Sequence, residues 1–370
     1  MGYETYIFAG GGTGGHLYPG LAVARKLGEL KKSATLVFAC SSRAIDRRIL
    51  DPLGFAVVPQ PILPMPRSPR GWGKFVEAWV ASRKLARRML NDIKPTAVLG
   101  LGGFAAAAMV KQAASMRIPS ALLNPDAVPG VANRLLARRV DAVFTQFEST
   151  AQCFAPRTRA KVRVVGCPIR DSLIGADKPS ALRELTLRVD RLTLLVNGGS
   201  LGAESINRVL AMLSEQLCAF EDTWQILHVT GPNKASGDDL RCSNSIHVST
   251  LEYCPRMELA YACADLAIGR GGASSVAELA ATGTPAIILP YPHHKDRQQL
   301  LNARELADNG GAIVVEDRSD PRQTAEDMTR TLIPLLGDPQ NLKRMRQAAL
   351  ACAKPTAADV VAQWMASAGV

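Results

Sequence analysis

Four glycine-rich turns, and the polar side chains that follow them, carry the chemical signal in this 370-residue chain. The most informative stretch is residues 266–302. There the turn Gly269-Arg270-Gly271-Gly272 follows an apolar run and opens an alanine-rich helix whose entry carries Ser274 and Ser275. A helix entered in this way presents free N–H groups to an anion. Glu278 follows about one turn later, where a carboxylate suits both hydroxyls of a ribose. Beyond the next apolar run lies a loop holding His293, His294, Lys295, Asp296, Arg297, Gln298, Gln299 and Asn302. Amide side chains donate and accept together, which fits a ligand made of hydroxyls. An ordinary βαβ unit with a polar loop would also contain a glycine turn. The spacing of turn, carboxylate and Gln298-Gln299-x-x-Asn302 favours a nucleotide-sugar site.

The N-terminal turn, Gly10-Gly11-Gly12-Thr13-Gly14-Gly15-His16, ends in the only histidine of the first half. A histidine at the mouth of such a loop is expected to be exposed. Its ordinary pKa then suits proton uptake near neutral pH. Bracing the loop or capping the helix is the plainer use of the same residue. Gly100-Leu101-Gly102-Gly103-Phe104 opens another helix, and Asn197-Gly198-Gly199-Ser200-Leu201-Gly202-Ala203 a further one, with Ser200 placed to donate to a phosphate. Paired glycine turns opening helices suit a diphosphate. The first turn also contains a G-x-G-x-x-G frame in Gly10, Gly12 and Gly15. A dinucleotide site would need an acidic residue after the second strand, yet Thr35–Ala39 runs into Cys40-Ser41-Ser42-Arg43. A nicotinamide dehydrogenase is disfavoured on that ground.

These groups need strands to aim them. Apolar runs predict strands over 3–9, 35–39, 97–99, 120–123, 140–145 and 161–165, then over 192–196, 225–230, 246–250, 265–268 and 286–289. A first helix is expected from Pro19 to Leu30, a polar linker with a lead-in helix over 171–190, and a helical tail over 341–370. Strands alternating with helices specify an α/β chain with parallel sheets, and this length suggests two domains.

Composition narrows the class. Apolar residues make up 47% and charged residues 21%, a globular balance. No apolar run reaches the length of a bilayer span; the best, Thr96–Val110, is broken by Gly100, Gly102 and Gly103. No basic leader precedes Glu4, so no signal peptide is expected. Eight cysteines without a C-x-x-C pair or a metal-like spacing fit a reducing cytoplasm. The net charge of +11 is uneven: residues 1–170 hold 25 Lys and Arg against 9 Asp and Glu, and residues 171–370 hold 19 against 24. A basic half can meet an anionic membrane or an acidic substrate. Nucleic acid is not expected, because no recognition motif accompanies the charge.

The basic half also contains a proline-rich crossing, Pro59–Pro69, and then a helical stretch with Trp72, Phe75, Val76, Trp79, Val80 and Leu85 at helical spacing among Lys74, Arg83, Lys84, Arg87 and Arg88. A core-packing helix with a solvated basic face and a membrane-surface helix both fit this pattern.

The chain resembles the MurG family of glycosyltransferases. The resemblance is carried by Arg270-x-Gly272-Ala273, by Glu278-Leu279-Ala280-Ala281-x-Gly283-x-Pro285 and by Asp296-Arg297-Gln298-Gln299-x-x-Asn302-Ala303. The turns at Gly10–His16 and Gly100–Phe104, and Gly166-Cys167-Pro168-Ile169-Arg170, extend it over nearly the whole chain. It implies the GT-B fold: two Rossmann-like domains, α/β, with parallel sheets facing a cleft. The expected division is 1–170 for acceptor and membrane, 171–350 for UDP-sugar, and 351–370 as a helix returning to the first domain. It also implies inverting transfer of N-acetylglucosamine from UDP-N-acetylglucosamine to a lipid-linked muramyl pentapeptide, in peptidoglycan synthesis. The family is peripheral to the membrane, so the implied location is the cytoplasmic face of the bacterial inner membrane, on anionic lipid. No metal or cofactor is expected.

The same resemblance implies roles residue by residue. His16 is the expected catalytic base. Thr13, Gly14, Gly15, Asp126, Arg170, Ser200, Tyr253, Cys254, Met257, Arg270, Ala273, Glu278, Gln298 and Gln299 are expected on the donor, and Gly102, Gly103 and Asn133 on the acceptor. Three places depart from the family pattern: Asn124-Pro125-Asp126 stands for Glu-Gln-Asn, Leu201 for Gln and Cys167 for Asn. Asp126 keeps an acceptor for a sugar hydroxyl but loses the amide donors and adds a charge. Two other outcomes remain open from the sequence. One is a UDP-N-acetylglucosamine epimerase on the same fold, and the other is a nucleotide-sugar-binding protein without activity.

Overall fold

The computed structural model describes residues 4–66, 68–200, 202–232, 234, 246–293 and 296–368. Tyr3, Leu201, His294 and Lys295, which entered the readings above, lie outside the described residues. The chain divides into two compact units, Met1–Arg170 with Lys354–Val370, and Asp171–Ala353.

The first unit runs β1 (Thr5–Gly10), α1 (Gly14–Leu30), β2 (Thr35–Ser41), α2 (Ala44–Leu50), β3 (Ala56–Gln60), α3 (Trp72–Ile93), β4 (Ala97–Gly102), α4 (Gly103–Ser115), β5 (Ser120–Asn124), α5 (Val131–Leu136), β6 (Ala142–Thr145), α6 (Pro156–Arg159) and β7 (Val162–Val164). Its seven strands are parallel, in the order β3-β2-β1-β4-β5-β6-β7. Strands covered on both faces must be apolar throughout rather than alternating. The apolar runs of the sequence are therefore the strands. Tyr6, Phe8, Phe38 and Leu99 pack on one face, and Ile7, Ala9, Val98 and Val110 on the other.

The order reverses between β1 and β4. Such a switch point is where open α/β sheets take ligands, beyond the carboxyl ends of the strands. Pairing sets Gly10 against Gly102, after an irregularity in register at Ala9/Gly10. The first two glycine turns therefore leave the sheet side by side.

The second unit runs α7 (Lys178–Glu184), β8 (Leu192–Asn197), α8 (Glu204–Met212), α9 (Ser214–Cys218), β9 (Trp224–Val229), β10 (Val248–Leu251), α10 (Met257–Cys263), β11 (Leu266–Gly269), α11 (Ala273–Thr282), β12 (Ala286–Ile288), α12 (Gln298–Ala307), β13 (Ala312–Val314), α13 (Pro321–Leu336) and α14 (Pro339–Ala351). Its six parallel strands are ordered β10-β9-β8-β11-β12-β13. Here the switch point lies between β8 and β11, with Asn197 opposite Gly269. The fully buried Trp224 anchors the core and donates its indole N–H to the Leu336 carbonyl at 2.9 Å. A last helix, α15 (Ala357–Ser367), packs on α1 and sets Trp364 edge-on against Phe144.

Several local expectations change. Strands β3 and β13 were not expected. Both lie on sheet edges, β13 is three residues long, and β3 contains Pro59, which only an edge strand tolerates. Helix α1 begins at Gly14 rather than Pro19. Glycines weaken the helical signal, but the His16 and Leu17 N–H groups both bond back to the Thr13 carbonyl at 3.3 Å and carry the helix through them. The tail is two helices, not one, interrupted before Ala357 around Pro355.

Helix α3 sorts its apolar stripe into two faces. Phe75, Trp79 and Leu85 are partly buried, and Trp79 packs against the core with the Lys111 ammonium 5.5 Å from its ring centre. Trp72, Val76 and Val80 are 46%, 52% and 58% exposed at a spacing of one helical turn. One part of the stripe packs on the core, and another part stands exposed beside the basic side chains.

Candidate functional site

In the first unit the switch point gathers four of the residues singled out by sequence. His16 sits in the first turn of α1. Its Nδ1 lies 3.1 Å from the Thr13 hydroxyl. Gly102 follows directly on the other strand of the pair, with φ +99°, and a Cβ there would stand 3.1 Å from the His16 ring. A side chain at this position would meet both a disfavoured backbone conformation and the imidazole, so glycine is required. A Cβ on Gly103 would stand 3.5 Å from His16 Cε1, and one on Gly102 would stand 3.5 Å from Asn133 Nδ2. His16, Gly102, Gly103 and Asn133 thus line one spot.

Asn133 is buried and donates to Asn124 Oδ1 at 2.9 Å, and its own Oδ1 meets no donor among the described residues. Asn124 in turn donates to the Asp126 carbonyl at 2.7 Å. The altered segment Asn124-Pro125-Asp126 is therefore wired to the site through Asn133.

The expectation of an exposed histidine with an ordinary pKa is corrected. His16 is half-buried. Burial pulls its pKa below the usual imidazole value, against opposing pulls from the Asp126 and Asp46 charges and a hydrogen bond to the Gly11 backbone. The neutral ring, the form that can accept a proton, is thereby favoured at neutral pH. Thr13 is the N-cap residue of α1, Gly14 and Gly15 form its first residues, and Arg170 stacks over Tyr18 of the same helix at 5.4 Å.

In the second unit the turns after β8 and β11 open α8 and α11 at the switch point. Asn197 accepts the Gly199 N–H at 2.9 Å and donates to the Met257 sulfur at 3.8 Å, tying the first turn to the start of α10. Ser200 is exposed on that turn. Ala273 is the first residue of α11, and Glu278 lies in its second turn, half-buried, accepting the Tyr261 hydroxyl at 3.1 Å. Gln298 opens α12, and Gln299 accepts the Tyr291 N–H at 2.8 Å through its carbonyl end. Asn302 is fully buried and donates to the Gly271 carbonyl at 3.1 Å, so the entries of α11 and α12 are pinned together. Cys254 is buried, whereas Tyr253 is 36% exposed.

Arg270, expected on the donor, has partners of its own within the second unit. The structure spends it internally: it donates to Asp317 at 2.6 Å, to the Leu289 carbonyl at 2.9 Å and to the Ser205 hydroxyl at 2.7 Å, with Tyr291 under its guanidinium. Arg270 braces the turn.

Two residues were missed. Asp317 carries no local motif, and nothing near it in sequence announces its partner. Asp46 carries no motif either. It lies five residues beyond Ser41, in the first turn of α2, and its oxygens accept the Gly12 N–H at 2.7 and 2.9 Å.

Residues 6–145 match the glycosyltransferase family 28 N-terminal domain, and residues 193–363 match the family's C-terminal domain. The UDP-N-acetylglucosamine–N-acetylmuramyl-(pentapeptide) pyrophosphoryl-undecaprenol N-acetylglucosamine transferase of Halothermothrix orenii is 34% identical over 366 residues, covering 96% of each chain. The protein of the same name from Clavibacter sepedonicus is 37% identical over 350 residues, covering 93% of this chain and 91% of its own. Among solved structures, Acinetobacter baumannii MurG aligns with a TM-score of 0.77 and 25% identity, covering 98% of this chain and 99% of that one.

Proposed function

The chain belongs to the MurG family of glycosyltransferases, on the GT-B fold, and from that premise we propose that it transfers N-acetylglucosamine from UDP-N-acetylglucosamine to a lipid-linked muramyl pentapeptide. The observation that carries the reading is 34% identity with a transferase of that name over 96% of each chain. An acceptor hydroxyl attacks the anomeric carbon, and His16 takes its proton. Ser200 and the N-termini of α8, α11 and α12 receive the charge of UDP as it leaves. Gly102, Gly103 and Asn133 hold the acceptor beside His16. The test is direct: purified protein with labelled UDP-N-acetylglucosamine and the lipid-linked acceptor should move label into the lipid phase. Label that stays in the aqueous phase, with UDP released, overturns the transferase reading.

Glu278 binds the ribose in this reading, held by the Tyr261 hydroxyl on one oxygen. Glu278→Ala should weaken UDP binding by about 1–3 kcal/mol, the cost of losing hydrogen bonds to a charged group. Unchanged affinity by calorimetry would remove Glu278 from the site.

The first unit also docks on anionic lipid at the cytoplasmic membrane face. No helix among the described residues is long and apolar enough to cross a membrane. What supports surface binding is the exposed row of Trp72, Val76 and Val80 on α3, preceded by the exposed Leu63 and Met65 and set among Lys74, Arg83, Lys84 and Arg87. Such a row gains by entering the interface, and its basic neighbours gain by facing anionic head groups. Sedimentation with phosphatidylglycerol-containing vesicles should fall with added salt, and also in a Trp72→Ser, Val76→Ser, Val80→Ser variant. Trp79 should be left intact, because it packs inward. Binding indifferent to both salt and substitution sinks the membrane assignment.

A further inference from the structure

The first glycine turn already holds an anion of its own. Asp46 is fully buried. Its carboxylate accepts the Gly12 N–H at 2.7 and 2.9 Å, the Ser41 N–H at 3.0 Å and the Ser41 hydroxyl at 2.6 Å. Every one of these partners is a donor, the pattern of an ionised carboxylate. The turn is shaped around it: Gly11 has φ +152°, and a Cβ there would stand 2.4 Å from Asp46 Oδ2. On its other side the same turn borders the imidazole: a Cβ on Gly103 would stand 3.5 Å from His16 Cε1 and 3.6 Å from the Gly11 carbonyl oxygen. One peptide therefore separates a buried negative charge from the imidazole.

We infer that Asp46 is a built-in counter-ion of this turn: it takes the place at the Gly12 amide where a ligand phosphate would sit, and it stabilises the positive charge that His16 acquires on taking the acceptor's proton. The assignment makes Asp46 a positioning residue and rests on His16 as the base. It also divides labour between the two adjacent turns. The turn at Gly12 is closed to diphosphate, whereas Gly102 and Gly103 present no such internal anion among the described residues.

The charged groups around His16 are few. Asp126 acts on it from the segment after β5, and Asp46 from α2. Arg43 donates to the Gly12 carbonyl at 3.1 Å, and Arg170 lies over Tyr18 of α1. The Cys40 thiol beside Asp46 is pushed up to about 11, chiefly by burial, and stays neutral over the working range. The sign follows. Asp46 raises the proton affinity of His16, so Asp46→Asn should lower it. The neutral ring then persists to lower pH, and it is a weaker base.

The test uses the full-length protein. Histidine-selective NMR, with His16 assigned by its loss in His16→Gln, should show the ring titrating at lower pH in Asp46→Asn. Asp46→Glu, which keeps the charge, should stay on the wild-type side. The acid limb of kcat should move to lower pH in Asp46→Asn. The plateau should fall on the order of tenfold, the scale of one charge lost at moderate range inside a protein. A folded Asp46→Asn protein whose His16 titration is unchanged overturns the assignment. If the titration shifts and the acid limb of kcat does not follow, Asp46 stands as the counter-ion and the base reading of His16 is what fails. Should Asp46→Asn not fold, the wild-type Gly12 amide decides: it should keep its NMR shift when inorganic pyrophosphate is titrated in. A Gly12 amide that moves as it would on binding the added anion overturns the assignment.

Discussion

Replacing His16 by alanine is expected to lower kcat by about 10²–10⁴-fold, the usual share of general-base catalysis, with UDP affinity nearly intact. In the proposed mechanism it is the base; its ring borders Gly102 and Gly103, and its Nδ1 lies 3.1 Å from the Thr13 hydroxyl. Proton uptake needs one ring nitrogen without a hydrogen, and the tautomer sets whether Nδ1 donates to the Thr13 hydroxyl or accepts from it. The pH dependence has a definite sign. The base works neutral, and burial lowers its pKa below the ordinary value near 6.5. The rate should therefore rise with pH and reach its plateau earlier than a solvent-exposed histidine would allow. Asp126 is the competing base. Its charge acts on His16, and its backbone carbonyl is tied to Asn124. An ordinary carboxylate is a poor base at neutral pH, because its pKa lies well below the working range. Asp126→Asn should therefore keep most of the rate and change affinity or selectivity for the donor sugar. Assays of the two variants that come out reversed would make Asp126 the base.

The second large effect is on stability. The Arg270 and Asp317 side chains are 11% and 4% exposed and meet at 2.6 Å. Removing one partner of a buried ion pair leaves the other uncompensated, at a cost of about 3–5 kcal/mol. Asp317→Ala should lose that much in urea unfolding of the second unit, because the Arg270 guanidinium then keeps its hydrogen bonds to Ser205 and the Leu289 carbonyl and its place over Tyr291 but no opposite charge among these partners. An Arg270→Met, Asp317→Leu double variant should recover much of the loss, since well-packed apolar residues replace buried pairs at little net cost. A loss below about 1 kcal/mol in Asp317→Ala would mean that the pair is screened like a surface one.

Much of this protein was legible in one dimension. Parallel strands buried on both faces must be continuously apolar, so β1, β4, β5, β8 and β11 announced themselves. The glycine turns after β1, β4, β8 and β11 marked where helices open, and the strand order then set them at the switch points. Residue types alone also named Glu278, His16 and the Gln298-Gln299 pair, since few side chains can serve hydroxyls, protons and phosphates. The weak edges, β3 with its Pro59 and the three-residue β13, carried too little pattern to be seen.

What only the folded chain decided is who touches whom. The register that sets Gly10 beside Gly102 joins two turns that are 92 residues apart in numbering, and it brings His16 and Asn133 onto one spot. The carboxylate of Asp46 reaches Gly12 across 34 residues, and Arg270 is claimed by Asp317 across 47. Trp79 turns inward on the same helix that turns Trp72 outward. Periodicity and turn chemistry record what the backbone prefers locally. Burial, and with it the proton affinity of His16 and the engagement of Arg270, depends on neighbours that only packing brings into contact.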